Sequence, residues 1–290
     1  MTIVGPGGRR LDVEVAGSEG GQALVFHTGT PSAGMLFAPT VEAGASRGLR
    51  HVAYSRPGYG RSDRRAGRTV GDCAEDVRAI ADELGIEQFF TVGWSGGGPH
   101  ALACAALLPE RVIAAATIAA VAPRRATDLD WLRGMGEENL KEFAAAEAGE
   151  EQLLAYLEHE GAEIAGASGS DLQTALGDLL SEVDRSELAG GDFTHYLAAS
   201  MHAGLAEGLW GWFDDDMAFN RDWGFDLDGV TRPVTIWQGE QDRFVPSSHG
   251  EWLASHVAGA RPRLRPDHGH LSLVVGSYGE VLDELIASAG

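Results

Sequence analysis

Short apolar runs and helical periodicities alternate along the chain. Leu11-Asp12-Val13-Glu14-Val15 alternates apolar and polar positions, as a half-buried strand does. The runs at 23–27, 51–54, 89–92, within 112–121 and at 234–237 are continuously apolar. That pattern suits strands covered on both faces of a mostly parallel sheet. Between them, Val70, Cys73, Val77, Ile80 and Leu84 recur at steps of three and four, and Gly85 supplies the stop. Helices are also expected over 99–108, 248–257 and 278–286. Strand–helix–strand order of this kind predicts an α/β fold, a mostly parallel central sheet flanked by helices.

The middle of the chain reads differently. Residues 126–229 show no strand pattern, while Trp131, Leu140, Phe143, Leu153, Leu157, Leu172, Leu176 and Leu179 mark amphipathic helices. An all-helical cap over 126–229 is therefore expected as an insertion in a core made of 1–125 and 230–290.

Charge narrows the class of partner. Lys plus Arg number 22 and Asp plus Glu 43, a formal charge of −21. Nucleic acid and anionic membrane surfaces both demand clustered cations, so neither is an expected partner. No stretch reaches the roughly 20 apolar residues that span a bilayer. The first ten residues lack the charged head and apolar run of a secretory signal, so a cytoplasmic location is expected. Cys73 and Cys104 fall on apolar helical stripes and read as reduced, buried thiols. His195 and His202 have no carboxylate at metal-ligand spacing, so neither a metal nor a cofactor is expected. No sequence feature separates monomer from homodimer.

The chemistry is concentrated in three segments. Gly93-Trp94-Ser95-Gly96-Gly97 follows an apolar run and precedes a helix, which is G-x-S-x-G in its strand–turn–helix setting. A turn that sharp holds its serine at positive φ and exposes the hydroxyl above the sheet. The helix that follows aims free N–H groups at the same place. Downstream, Gly239-Glu240-Gln241-Asp242-Arg243-Phe244-Val245-Pro246 lies at the C-terminal end of a buried strand, where α/β sites form. Asp267-His268-Gly269-His270-Leu271 comes last.

With these three segments, in the order Ser, Asp, His, the chain resembles serine hydrolases of the α/β-hydrolase superfamily. The resemblance covers about 1–125 and 230–290. It implies Ser95 as nucleophile, His270 as general base and Asp242 as its orienting acid. His270 is preferred over His268 because it follows Gly269 and precedes an apolar residue, as in the family. Glu240 and Asp267 remain rival acids. Aspartate at the nucleophile position would mark a dehalogenase or epoxide hydrolase, and Ser95 argues against both.

The loop Phe26-His27-Thr28-Gly29-Thr30-Pro31 resembles the superfamily's His-Gly-x-Pro loop, except that Thr28 precedes the glycine. Aligning on Gly29 and Pro31 implies an oxyanion hole made by the backbone N–H groups of Thr30 and Gly96. Arg56-Pro57-Gly58-Tyr59-Gly60-Arg61-Ser62-Asp63 also matches the superfamily and reads as a structural loop. Gly29, Trp94, Trp210 and Phe213 are the expected wall of the substrate pocket, the last two from an aromatic stretch of the cap. Asp214, Asp215 and Asp216 read as solvated helix caps.

The expected function is cleavage of an ester or related small acyl substrate through an acyl-enzyme on Ser95, the partner being a small organic molecule. Two alternatives stand beside it. One is an aminopeptidase of proline iminopeptidase type, where cap carboxylates hold a substrate ammonium. The other is a non-catalytic ligand-binding relative.

Overall fold

The computed structural model describes residues 1–166, 171–189 and 191–289, with only the backbone at 165 and 166. Residues 167–170 and 190, inside the expected cap, and 290 lie outside the described residues. Eight strands form one sheet: β1 (Thr2–Val4), β2 (Arg10–Gly17), β3 (Gln22–His27), β4 (Leu49–Tyr54), β5 (Phe89–Trp94), β6 (Val112–Ile118), β7 (Val234–Gly239) and β8 (Arg261–Arg265). Their order is β1-β2-β4-β3-β5-β6-β7-β8. β2 runs antiparallel to both β1 and β4, and every pairing from β4 to β8 is parallel. β1 has only three residues, too few for a period-two pattern to register.

Both faces of the sheet are covered. Val25 joins one core cluster, with Val77, Leu102 and Leu253 of α2 (Cys73–Glu83), α3 (Gly98–Leu107) and α10 (Ser247–His256). Its neighbours Leu24 and Phe26 join the other cluster, with Leu273, Val281 and Leu285 of α11 (Leu271–Ala287). α1 (Ala38–Ala45) lies on that same side. The alternation along β3 is the period of two that a strand imposes, with both sets of side chains buried.

Between β6 and β7 the described chain forms helices and no strand. These are α4 (Glu137–Ala148), α5 (Glu150–Gly166), α6 (Leu172–Ala175), α7 (Glu182–Glu187), α8 (Asp192–Leu205) and α9 (Trp210–Phe219). Leu153, Leu157, Phe193 and Leu197 of this insertion belong to the α11-side core cluster. Each large apolar side chain so buried contributes about 1.5–3 kcal/mol. No helix among the described residues is long and apolar enough to cross a membrane.

Strand register brings distant segments to one edge. His27 pairs with Gly93, Trp94 with Ile118, and Ile118 with Trp237. The segments leaving the C-terminal ends of β3, β5 and β7 are therefore neighbours: the 28–31 loop, Ser95 and the loop carrying Asp242.

Candidate active site

Ser95 sits at the turn between β5 and α3 with φ +55, a conformation that few non-glycine residues adopt. The flanking glycines make room for it. A Cβ built on Gly93 would stand 2.1 Å from the Gly97 carbonyl oxygen, and one on Gly97 would stand 2.1 Å from that of His27. The Gly98 N–H donates to the Ser95 carbonyl, which fixes the peptide group carrying the Gly96 N–H.

Asp242 and His270 meet. His270 Nδ1 lies 2.8 Å from Asp242 Oδ2, and both residues are buried. The carboxylate also accepts from the N–H groups of Phe244 at 2.9 Å and Val245 at 2.8 Å, and from Gln238 Nε2 at 3.2 Å. Burial pushes the Asp242 pKa up, and His270 offsets part of that rise. The imidazole stacks on Phe244 at 4.5 Å between centroids. Glu240 and Asp267 are exposed. His268 does not reach the cavity that His270 lines.

The backbone of His270 is held from the insertion. Asp184 of α7, fully buried, accepts the His270 N–H at 2.9 Å through Oδ2. Its Oδ1 accepts the Leu271 and Ser272 N–H groups, each at 2.9 Å. A carboxylate from another element thus does the work of an N-cap for α11. The helix starts at Leu271, seven residues before the expected 278, and the residue that caps it lies 86 positions upstream of His270.

Thr30 and Gly96 are face to face: a Cβ on Gly96 would lie 2.4 Å from Thr30 Oγ1. A Cβ on Gly29 would lie 3.3 Å from that of Ser95. Thr30 Oγ1 donates to Asp215 Oδ2 at 2.7 Å, and Arg56 Nη2 lies 2.5 Å from the same oxygen. Burial alone would raise the Asp215 pKa; Arg56 and Arg68 overcome it and hold the carboxyl well below the usual carboxylate range. His27 is buried with Nε2 at 3.7 Å from Cys104 Sγ.

Asp214, Asp215 and Asp216, expected as solvated caps, are all buried. α9 is enclosed along most of its length, so its acids face protein instead of water. Asp214 pairs with Arg64 at 2.8 Å. Asp216 meets Glu142, and burial together with that neighbouring carboxyl drives its pKa well up.

Ser95 and His270 line one cavity, which with its open mouth holds about 740 Å³ of empty space. Gly29 and Trp94 lie on its wall, whereas Trp210 and Phe213 do not. Those two share a face of α9, three residues apart, and Arg64 stacks on Trp210 at 3.8 Å. Trp212, on another face, lines the cavity in their place and donates to Glu142 Oε1 at 2.7 Å. Glu138 and Glu142, four apart on α4, and Tyr156, Glu160 and Ile164, four apart on α5, lie on the same wall. None of the described lining residues is Lys or Arg. Nothing in the sequence separates these carboxylates from a solvated helix face, because both recur every four residues.

Residues 22–277 match the family model of the α/β-hydrolase fold, and the chain belongs to that family. Among curated proteins it is 28% identical over 221 residues to pimeloyl-[acyl-carrier protein] methyl ester esterase of Nitrosomonas europaea, covering 74% of this chain and 75% of that one. It is 32% identical over 136 residues to an uncharacterised hydrolase of Bacillus subtilis, which is 47% of this chain and 46% of that protein. Among solved structures, bromoperoxidase from Bacillus anthracis superposes with a TM-score of 0.73 at 20% identity over 99% of both chains. At that identity the likeness is one of fold. Esterase-type relatives and the family together make the chain a hydrolase.

Proposed function

We propose that this hydrolase cleaves esters of small organic acids through an acyl-enzyme on Ser95. The observation that carries the reading is the 2.8 Å Asp242–His270 contact, with His270 on the wall of the cavity that Ser95 enters at φ +55. In the first half-reaction Ser95 Oγ attacks the acyl carbon while His270 Nε2 takes its proton. Asp242 holds Nδ1–H and stabilises the imidazolium. The oxyanion is received by the N–H groups of Gly96 and Thr30, and the leaving alcohol takes the proton from His270. Water then attacks the acyl-enzyme, with His270 again as base. The Nitrosomonas europaea relative, named for methyl ester cleavage, agrees with an ester substrate.

A second reading, aminopeptidase, is favoured by one feature of the cavity. Glu138, Glu142 and Glu160 face it without a Lys or Arg among the described lining residues. Such a wall disfavours an anionic substrate and suits an ammonium group.

One panel separates the readings: p-nitrophenyl acetate and longer esters against proline p-nitroanilide, on wild type and Ser95→Ala. The expected outcome is ester turnover and fluorophosphonate labelling in the wild type. Both should be lost in Ser95→Ala, with kcat down by roughly 10⁴-fold or more. Labelling that survives Ser95→Ala overturns the acyl-enzyme. Turnover of the anilide with silence on every ester replaces the first reading with the second.

A further inference from the structure

The 28–31 loop is neither helix nor strand, so its peptide groups have no ladder to align them. Two of its carbonyls end instead on one guanidinium. Arg56 Nη1 donates to the Thr28 oxygen at 2.6 Å and Nη2 to the Gly29 oxygen at 3.1 Å. The Gly29 carbonyl and the Thr30 N–H belong to one planar peptide group, which is trans. Gripping the oxygen therefore sets the direction of the N–H on the other side. Drawing charge toward the carbonyl also makes that N–H a better donor.

Arg56 is itself aimed from the insertion. Asp215 of α9 receives its Nε at 3.2 Å and its Nη2 at 2.5 Å. The Thr30 hydroxyl lies between them, donating to Asp215 at 2.7 Å and accepting from Arg56 Nη2 at 3.1 Å. Tyr59 at 3.0 Å and Arg68 at 2.7 Å complete the carboxylate's shell. With Arg56 2% and Asp215 0% exposed, desolvation cancels much of what the pairing gains in stability. What the pair does impose is a direction.

We propose that Arg56 and Asp215 are positioning residues for the oxyanion hole, through which the helical insertion sets the Thr30 N–H. This rests on the serine hydrolase reading above.

The test compares wild type, Thr30→Val, Thr30→Ser and Asp215→Asn on p-nitrophenyl acetate, with fluorophosphonate labelling rates and melting temperatures. Thr30→Val keeps the backbone N–H and the ion pair but removes the hydroxyl hook. It should lower kcat and the labelling rate about tenfold, part of the roughly 10²–10³ that a whole donor is worth, with KM and melting temperature unchanged. Thr30→Ser should restore the rate. Asp215→Asn should lower kcat likewise and also the melting temperature, since two buried cations lose their partner; if it fails to fold, the Thr30 pair decides. Wild-type kcat in Thr30→Val, a loss confined to KM, or Thr30→Ser as impaired as Thr30→Val overturns the positioning role. A wild type that neither turns over an ester nor takes the label overturns the hydrolase reading first, and that result is distinct.

Discussion

His249 shows how a single side chain sets a pH limit on this fold. Its Nδ1 accepts the Ala122 N–H at 3.1 Å, so Nε2 carries the proton and donates to the Trp131 carbonyl at 2.8 Å. Only the neutral ring satisfies both, and burial pushes the pKa down to about 4. Below about 6.5 the unfolded chain binds a proton that the folded ring refuses, so this contribution to stability is complete above that pH. It is lost as pH falls toward 4, and the shift corresponds to roughly 3 kcal/mol. His51, also pushed down to about 4 by burial, acts in the same direction. His249→Gln should therefore show a flatter fall of melting temperature between pH 6.5 and 4 than the wild type. Parallel curves would remove His249 from the account. At this scale the turn at Ser95 and the approach of His270 to Asp242 were legible because each residue lies in a short segment whose neighbours are informative. The positions of Arg56 and Asp215, 159 apart along the chain, were not.

At the scale of elements, α11 depends on a residue that does not belong to it. Asp184 accepts the N–H groups of His270, Leu271 and Ser272 and the Ser272 hydroxyl, each at 2.9 Å. Asp184→Ala strands these donors at the first turn, and the expected cost is roughly 2–3 kcal/mol in urea unfolding. The same change should speed hydrogen exchange at residues 270–273 and lower kcat, because the His270 backbone hangs on that cap. Unchanged exchange there would refute the capping role. The run Leu271-Ser272-Leu273-Val274-Val275 carries strand-forming residues, which is why periodicity placed the helix start too late. The strands were easier: apolar runs covered on both faces stand out without any partner being known.

Over the whole molecule, the helical insertion is tied into the core at three buried carboxylates, Asp184 at the His270 helix, Asp215 at the 28–31 loop and Asp214 at Arg64. Its leucines share a cluster with α11. Replacing 126–229 by a short linker should therefore leave no cooperatively folding core. Arg56 and Arg68 would lose their carboxylate, and an apolar face would open to water. A soluble product with a sharp melting transition would show the insertion to be separable.

The sequence by itself determined the α/β alternation, the helical character of the insertion and the turn around Ser95. All three are local: a period of two or 3.6 residues, or five residues that permit only one kind of turn. Tertiary structure alone decided which residues of the insertion face the cavity, Trp212 with Glu138, Glu142 and Glu160 instead of Trp210 and Phe213. It also turned three acids expected in water into buried partners. Helical spacing says which residues share a face; what that face meets depends on how separate elements pack.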